Sequence, residues 1–299
     1  MSFESHFGDR LAQAVRSKQS AVCVGLDPRW QSLPDTIRSG IDPKDLASVA
    51  KATECYCRCV VDSVFDHAAI IKPQAAFFEQ LGPAGMSCLH AVIQYCHQQG
   101  LDVLLDGKRG DIGTTAEGYA DAYLGLTSPW GCDALTVNPY LGDDTLQPFI
   151  KTANDRGAGI FVLVKTSNPG SGFIQDLNFD GRSLYYRVSQ VVQIAAEDSK
   201  GQSGYGNIGA VVGATYPQQL AEMREAMPNT WLLIPGYGAQ GGTAADVAVG
   251  FDVRGLGAIV NSSRGIIFAY QLPKYQHLPW EKAIENAARD MADELPHAS

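Results

Sequence analysis

The sequence predicts a (β/α)8 TIM barrel, an α/β fold, from three observations. Eight short β-branched runs alternate with longer stretches of helical periodicity. The runs are almost continuously apolar, as strands covered by helices on both faces are. Charged residues recur at the ends of the runs, where a barrel builds its active site. A doubly wound open sheet is the competing architecture. No G-x-G-x-x-G opens the first strand–helix turn, which counts against it.

The elements follow in order. The first eighteen residues, MSFESHFGDRLAQAVRSK, read as an amphipathic helix additional to the barrel. The strands are expected at 21–27, 68–73, 102–108, 133–138, 159–166, 208–214, 231–236 and 257–263. Asp42-Pro43 reads as a helix cap followed by proline at the first helical position. The run behind it places Leu46, Val49, Ala50, Val60, Val61, Val64 and Phe65 mostly on one face. Further helices are expected in PAGMSCLHAVIQYCHQQ, TTAEGYADAYLGL, DDTLQPFIKTAND, GRSLYYRVSQVVQIAAED and YPQQLAEMREAM, and in PWEKAIENAARDMADEL at the end. The fifth connection, from Ser167 to about Gly206, is long and rich in Gly, Ser and Asn before its helix, as an active-site lid is. Residues 1–299 are read as one domain.

Composition narrows the function. Hydrophobic residues make up 45% of the 299 and charged residues 18%, enough apolar material for a large core. The formal net charge is −9, which argues against a nucleic-acid partner. No run approaches the roughly 20 apolar residues of a membrane span, and the N-terminus has no apolar signal core. Seven scattered cysteines fit reduced thiols in a cytoplasm. Cys55, Cys57 and Cys59 look metal-like, but residues two apart on a helix point about 200° apart and cannot converge on one ion. No metal site and no cofactor are expected.

Strand ends carry the candidate chemistry. Asp27 ends the first strand, Lys72 the second, and Asp106 and Lys108 the third, with Asp111 following in DGKRGDIGTT. Asp106 and Lys108 are two apart, so regular alternation points them the same way. With Lys72 and Asp111 they make an array of two cations and two anions, which is tolerable where isolated charges would be costly. Carboxylate neighbours keep a lysine protonated, which suits a proton donor. The competing reading is a salt-bridge network filling the barrel mouth.

A second constellation points to phosphate. IPGYGAQGG (234–242) leaves the seventh strand and NSSRG (261–265) the eighth, the usual phosphate position in barrels. Gly236, Gly238, Gly241 and Gly242 let backbone N–H groups approach an anion. Arg264 offers a bidentate contact and Gln240 its amide. His90 and His97 read as surface or packing histidines, and Trp30, Trp130 and Trp231 as packing residues. Lys165 reads as a solvated lid residue, and Asn138 stays open between a site role and none.

The words VGLDPR (24–29), IKPQAAFFE (71–79), LLDGKRGDIGTT (104–115), TVNPY (136–140), KTSNPG (165–170), VVGAT (211–215), IPGYGAQGG (234–242) and NSSRG (261–265) stand in order along the chain. The set resembles the orotidine 5′-phosphate decarboxylases, in particular their longer, bacterial-type subgroup (type 2). D-x-K-x-x-D alone is shared with sugar-phosphate decarboxylase and aldolase barrels. The resemblance implies that Lys108 protonates C6 of the pyrimidine, with Asp106 as its carboxylate neighbour and Lys72 bridging array and ribose. It implies that Asp27 binds a ribose hydroxyl and Ser167 the pyrimidine, with Gln240 and Arg264 gripping phosphate. Asp111 and Thr115 would cross a homodimer interface into the partner's site.

The expected activity is therefore decarboxylation of orotidine 5′-phosphate to UMP, the last step of pyrimidine nucleotide synthesis, with no cofactor. The alternatives are a metal-dependent sugar-phosphate decarboxylase or aldolase, and a phosphate-ligand binding protein with a dead site. The long fifth connection and the C-terminal helix depart from shorter relatives.

Overall fold

The computed structural model describes residues 6–238 and 242–298. Eight parallel strands form the barrel: β1 (Val22–Leu26), β2 (Ala68–Pro73), β3 (Leu104–Arg109), β4 (Ala134–Val137), β5 (Gly159–Lys165), β6 (Ile208–Val212), β7 (Leu232–Ile234) and β8 (Ala258–Ser262). Neighbours pair in sequence order from β3 to β8, and β8 returns to β1. The seam between β2 and β3 is closed by bridges Ile71–Val103 and Gln74–Asp106. Each strand falls within about two residues of its expected place, because the apolar runs are the strands.

Helices cover the outside. Leu46–Val64 packs its Val49, Tyr56, Val60 and Val64 side inward. Its cap is Asp45, whose side chain accepts from the Ser48 amide, and not the expected Asp42. Asp42 instead accepts the Lys44 amide and closes the preceding turn, so the helix starts three residues later. The Cys55–Cys59 stretch lies on this helix, with Cys57 buried and Cys55 exposed. The fifth connection holds more structure than its composition suggests. A short helix, Gly172–Gln175, precedes a two-stranded hairpin, Asn178–Phe179 against Arg182–Ser183, and the helix Leu184–Asp198 follows.

The extra helix, Phe7–Lys18, plugs the N-terminal end of the barrel. Phe7, Leu11 and Val15 are buried there, each contributing about 1.5–3 kcal/mol by transfer from water. Phe7 meets Phe161 edge-on, with ring centres 6.1 Å apart. Arg10 on the same helix spans Asp102 at 3.0 Å, Asp133 at 2.9 Å and the Gly157 carbonyl at 2.8 Å. His97 joins the cluster 2.8 Å from Asp133, so it is a structural partner and not a surface histidine. With this end closed, the chemistry is left to the opposite, C-terminal end.

Candidate active site

Strand β3 does not run regularly into the site. Leu105 pairs with Leu135 and Arg109 with Val137, so Asp106, Gly107 and Lys108 stand against Thr136 alone. Within this bulge Lys108 adopts φ +45°, a left-handed backbone that costs a non-glycine residue about 1–3 kcal/mol. Asp106 and Lys108 do meet, but through the bulge and not through the simple alternation expected from their spacing.

Asp106 is the hub. Its Oδ1 accepts from Lys108 Nζ at 2.5 Å and from Thr136 Oγ1 at 3.0 Å. Its Oδ2 accepts from Lys72 Nζ at 2.8 Å and from Gln74 Nε2 at 3.0 Å. Burial alone would raise its pKa, but the charges of Lys72 and Lys108 outweigh burial and hold the carboxyl well below its usual range. For Lys72, burial favours the neutral amine, and Asp106 and Asp27 outweigh it, so the ammonium is held above its ordinary value. Lys72 is buried, whereas the Lys108 side chain is 48% exposed and reaches into open space beside a fixed anion.

These groups line a cavity of about 280 Å³. Asp27, Ser167, Thr166 and Asn168 share its wall with Leu163, Val211, Leu233 and Pro235. Asp27 Oδ1 is buried without a hydrogen-bond partner among the described residues, an acceptor left for a donor. Ser167 approaches the end of β6 closely: a Cβ on Gly213 would lie 2.9 Å from Ser167 Cβ, which explains the glycine in VVGAT.

The structure thus unites Lys108, Asp106, Lys72, Asp27 and Ser167. Asp111 and Thr115 are not part of this wall; Asp111 Oδ1 accepts the Ile112 amide at 2.8 Å, and Thr115 is exposed. The single-chain array therefore holds three of the four expected charges. Arg264 is exposed on a neighbouring groove with Arg29, Ser32 and Gly238. Gln240 and Gly241 lie outside the described residues.

Five polar wall residues escaped the sequence reading: Gln74, Thr136, Thr166, Asn168 and Asn261. Gln74 and Thr136 donate to Asp106, and Asn261 accepts weakly from the buried Cys23 thiol at 3.7 Å. Burial, above all, pushes that thiol up to about 12, so it stays neutral. All five line the cavity at or just past a strand's C-terminal end, the signal that could have found them. Asn138 is absent from the cavity wall and accepts the Tyr140 amide in its own turn at 3.0 Å. Lys165, expected in solvent, is 2% exposed.

Among the described residues no group of three or more His, Cys, Asp or Glu side chains could hold a metal ion, and no helix is long and apolar enough to cross a membrane.

Known proteins resemble this chain over nearly its whole length. An orotidine 5′-phosphate decarboxylase of Rhodopirellula baltica is 50% identical over 297 residues, spanning 97% of this chain and 98% of that protein. One of Caldicellulosiruptor bescii is 37% identical over 300 residues, with 97% and 98% covered. The solved structure of Leishmania donovani OMP decarboxylase superposes with a TM-score of 0.76 at 33% identity, covering 97% of this chain and 96% of that one. Residues 20–274 match the profile of one family. The chain belongs to the orotidine 5′-phosphate decarboxylase / HUMPS family.

Proposed function

We infer that this protein decarboxylates orotidine 5′-phosphate to UMP and carbon dioxide, the closing step of pyrimidine nucleotide synthesis. One observation carries the reading: two ammonium groups are held on opposite oxygens of one buried carboxylate, at the floor of a cavity that also holds an unpaired Asp27 oxygen.

Breaking the C6–carboxylate bond leaves its electron pair on the ring carbon as carbon dioxide departs. Lys108 Nζ stabilises that charge from a fixed position, then gives one proton to C6 and regains one from solvent. Asp106, anchored from its other oxygen by Lys72, holds Lys108 in place. Asp27 takes a ribose hydroxyl, Ser167 the pyrimidine, and Arg264 with Gln240 the phosphate. Binding energy from the phosphate aligns the reacting end. This assigns the chemistry to side chains and invokes no cofactor.

The active form on this reading is a homodimer of whole-chain units (residues 1–299), with Asp111 and Thr115 serving the partner's cavity. Their absence from their own chain's cavity wall supports this, as do the exposed apolar side chains of Ile112, Tyr140 and Leu141 on the loops after β3 and β4. Seven free cysteines suit a reducing cytoplasm, and a net charge of −9 suits a small-molecule substrate and no nucleic acid.

The deciding experiment is a spectrophotometric assay with orotidine 5′-phosphate in excess chelator. Turnover unaffected by chelator is expected. Activity lost to chelator and restored by magnesium would favour a metal-dependent sugar-phosphate enzyme, and UMP binding without turnover a dead site.

A further inference from the structure

Lys165 is a lysine with almost no contact with water, 2% exposed at the end of β5. Such burial requires partners. Its Nζ donates to Asp176 Oδ1 at 2.5 Å and lies 5.4 Å from the ring centre of Tyr185 and 5.9 Å from that of Tyr216. Regular alternation from Leu163, which lines the cavity, would aim Lys165 into the barrel mouth as a further cation. The register of β5 against β6 shifts between Leu163 and Lys165, and the bulge turns the side chain towards Tyr185 on the outer helix Leu184–Asp198 instead.

Beside this ion pair runs a second tie. The Thr166 amide donates to Gln175 Oε1 at 2.9 Å, and Gln175 Nε2 donates to Thr166 Oγ1 at 2.9 Å. Thr166 Oγ1 donates onward to Asn168 Oδ1 at 2.7 Å. Residues 165–166 are therefore clamped to 175–176, and the segment between them forms a closed arch. Asp176 also packs so near Gly172 that a Cβ there would lie 2.7 Å from its Oδ2. Ser167 and Asn168, at the foot of the arch, line the cavity.

We propose that Lys165 is a positioning residue: seated beside the rings of Tyr185 and Tyr216 and paired with Asp176, it ties the 167–176 arch to β5 so that Ser167 and Asn168 face the substrate. The catalytic consequence rests on the decarboxylase reading above; the clamp itself does not.

The test compares Lys165→Met and Asp176→Asn with the unmodified protein. Methionine fills the slot between the tyrosines without charge. Asp176, 45% exposed, is then left to water and not stranded. In ligand-free protein, amide exchange within 166–176 should quicken at least about tenfold while the barrel strands keep their protection. Turnover of orotidine 5′-phosphate should fall in kcat/KM by about ten- to a hundredfold, with KM raised. A purely structural role would lower the active fraction, hence kcat, and leave KM alone. Should Lys165→Met fail to fold, Asp176→Asn carries the test. Unchanged exchange in the arch overturns the clamp. Quickened exchange with unchanged KM and kcat overturns its positioning role. Should the unmodified protein not turn over the substrate, the functional reading fails, and the exchange result still decides the clamp.

Discussion

Thr136 Oγ1 accepts the backbone amide of Lys108 at 2.9 Å, in place of a ladder bond that the bulge in β3 has removed. The same hydroxyl donates to Asp106 Oδ1 at 3.0 Å, so one small side chain secures both the strained backbone and the anion that Lys108 grips. Thr136→Val keeps the shape and deletes both bonds. It should cost about 1–3 kcal/mol of stability and slow turnover about ten- to a hundredfold, the worth of a lost hydrogen bond to a charged group. Thr136→Ser, retaining the hydroxyl, should restore most of the rate. Denaturant unfolding and steady-state kinetics measure both effects, and a valine variant at full rate would contradict the assignment.

Lys108→Ala removes the ammonium that meets the developing charge and delivers the proton. Losing both contributions should lower kcat by at least about 10⁴-fold. The fold should survive, because this side chain is 48% exposed and Lys72 still pairs with Asp106 at 2.8 Å. Circular dichroism with the decarboxylation assay checks both halves, and a kcat near that of the unmodified protein would refute the role.

The barrel was legible because parallel strands covered on both faces must be continuously apolar, and the eight runs are where β1 to β8 lie. Asp27, Lys72, Asp106, Lys108 and Ser167 were legible because charge and polarity at such strand ends are costly without a partner. The two bulges were not. Nothing in LLDGKR shows that Lys108 turns to φ +45°, and nothing in FVLVK shows that Lys165 swings outward. Both depend on register against a neighbouring strand far along the chain. Thr136 was hidden for the same reason, since threonine in a strand is ordinary and its value lies in which residues stand opposite.

Arg264 lies apart from the charged array, on a groove with Arg29 and Gly238. A grip at that distance should contribute binding energy that appears only when the substrate carries its phosphate. Arg264→Ala should therefore lower kcat/KM for orotidine 5′-phosphate by about ten- to a hundredfold and leave the slow reaction of phosphate-free orotidine unchanged. Equal losses with both substrates would place the arginine outside the phosphate site.

The cluster beneath the barrel gives stability its pH dependence. Burial, and then the charge of Asp133, raise Asp102 from 3.8 to about 6. As pH rises from about 4 to 6 the unfolded chain releases this proton before the folded one does, so stability falls. His97 acts in the same direction: burial opposes its charge, but the Asp133 contact outweighs it and raises the group above 6.5, so its contribution is present below 6.5 and lost as pH rises through the folded value. Asp106, held low, contributes above 3.8 and loses that contribution as pH falls. Thermal unfolding of the unmodified protein should therefore show Tm declining from about pH 5 to 8, and Asp102→Asn should flatten the part of that decline below about pH 6. A slope unchanged by the substitution would remove Asp102 from the account.

Asp111 is separated from its own chain's cavity wall, yet it follows β3 by only two residues. If it serves a partner's cavity, each site needs Lys108 from one chain and Asp111 from the other. A Lys108→Ala chain then spoils its own site and still lends Asp111, and an Asp111→Asn chain does the reverse. Mixed after subunit exchange, two nearly inactive proteins form hybrids in which one of the two sites is intact. Random pairing makes half the dimers hybrid, so activity should return to about a quarter of the unmodified level. Mass spectrometry of differently tagged chains establishes that exchange has occurred. Hybrids that form without recovering activity would show that Asp111 acts within its own chain or not at all.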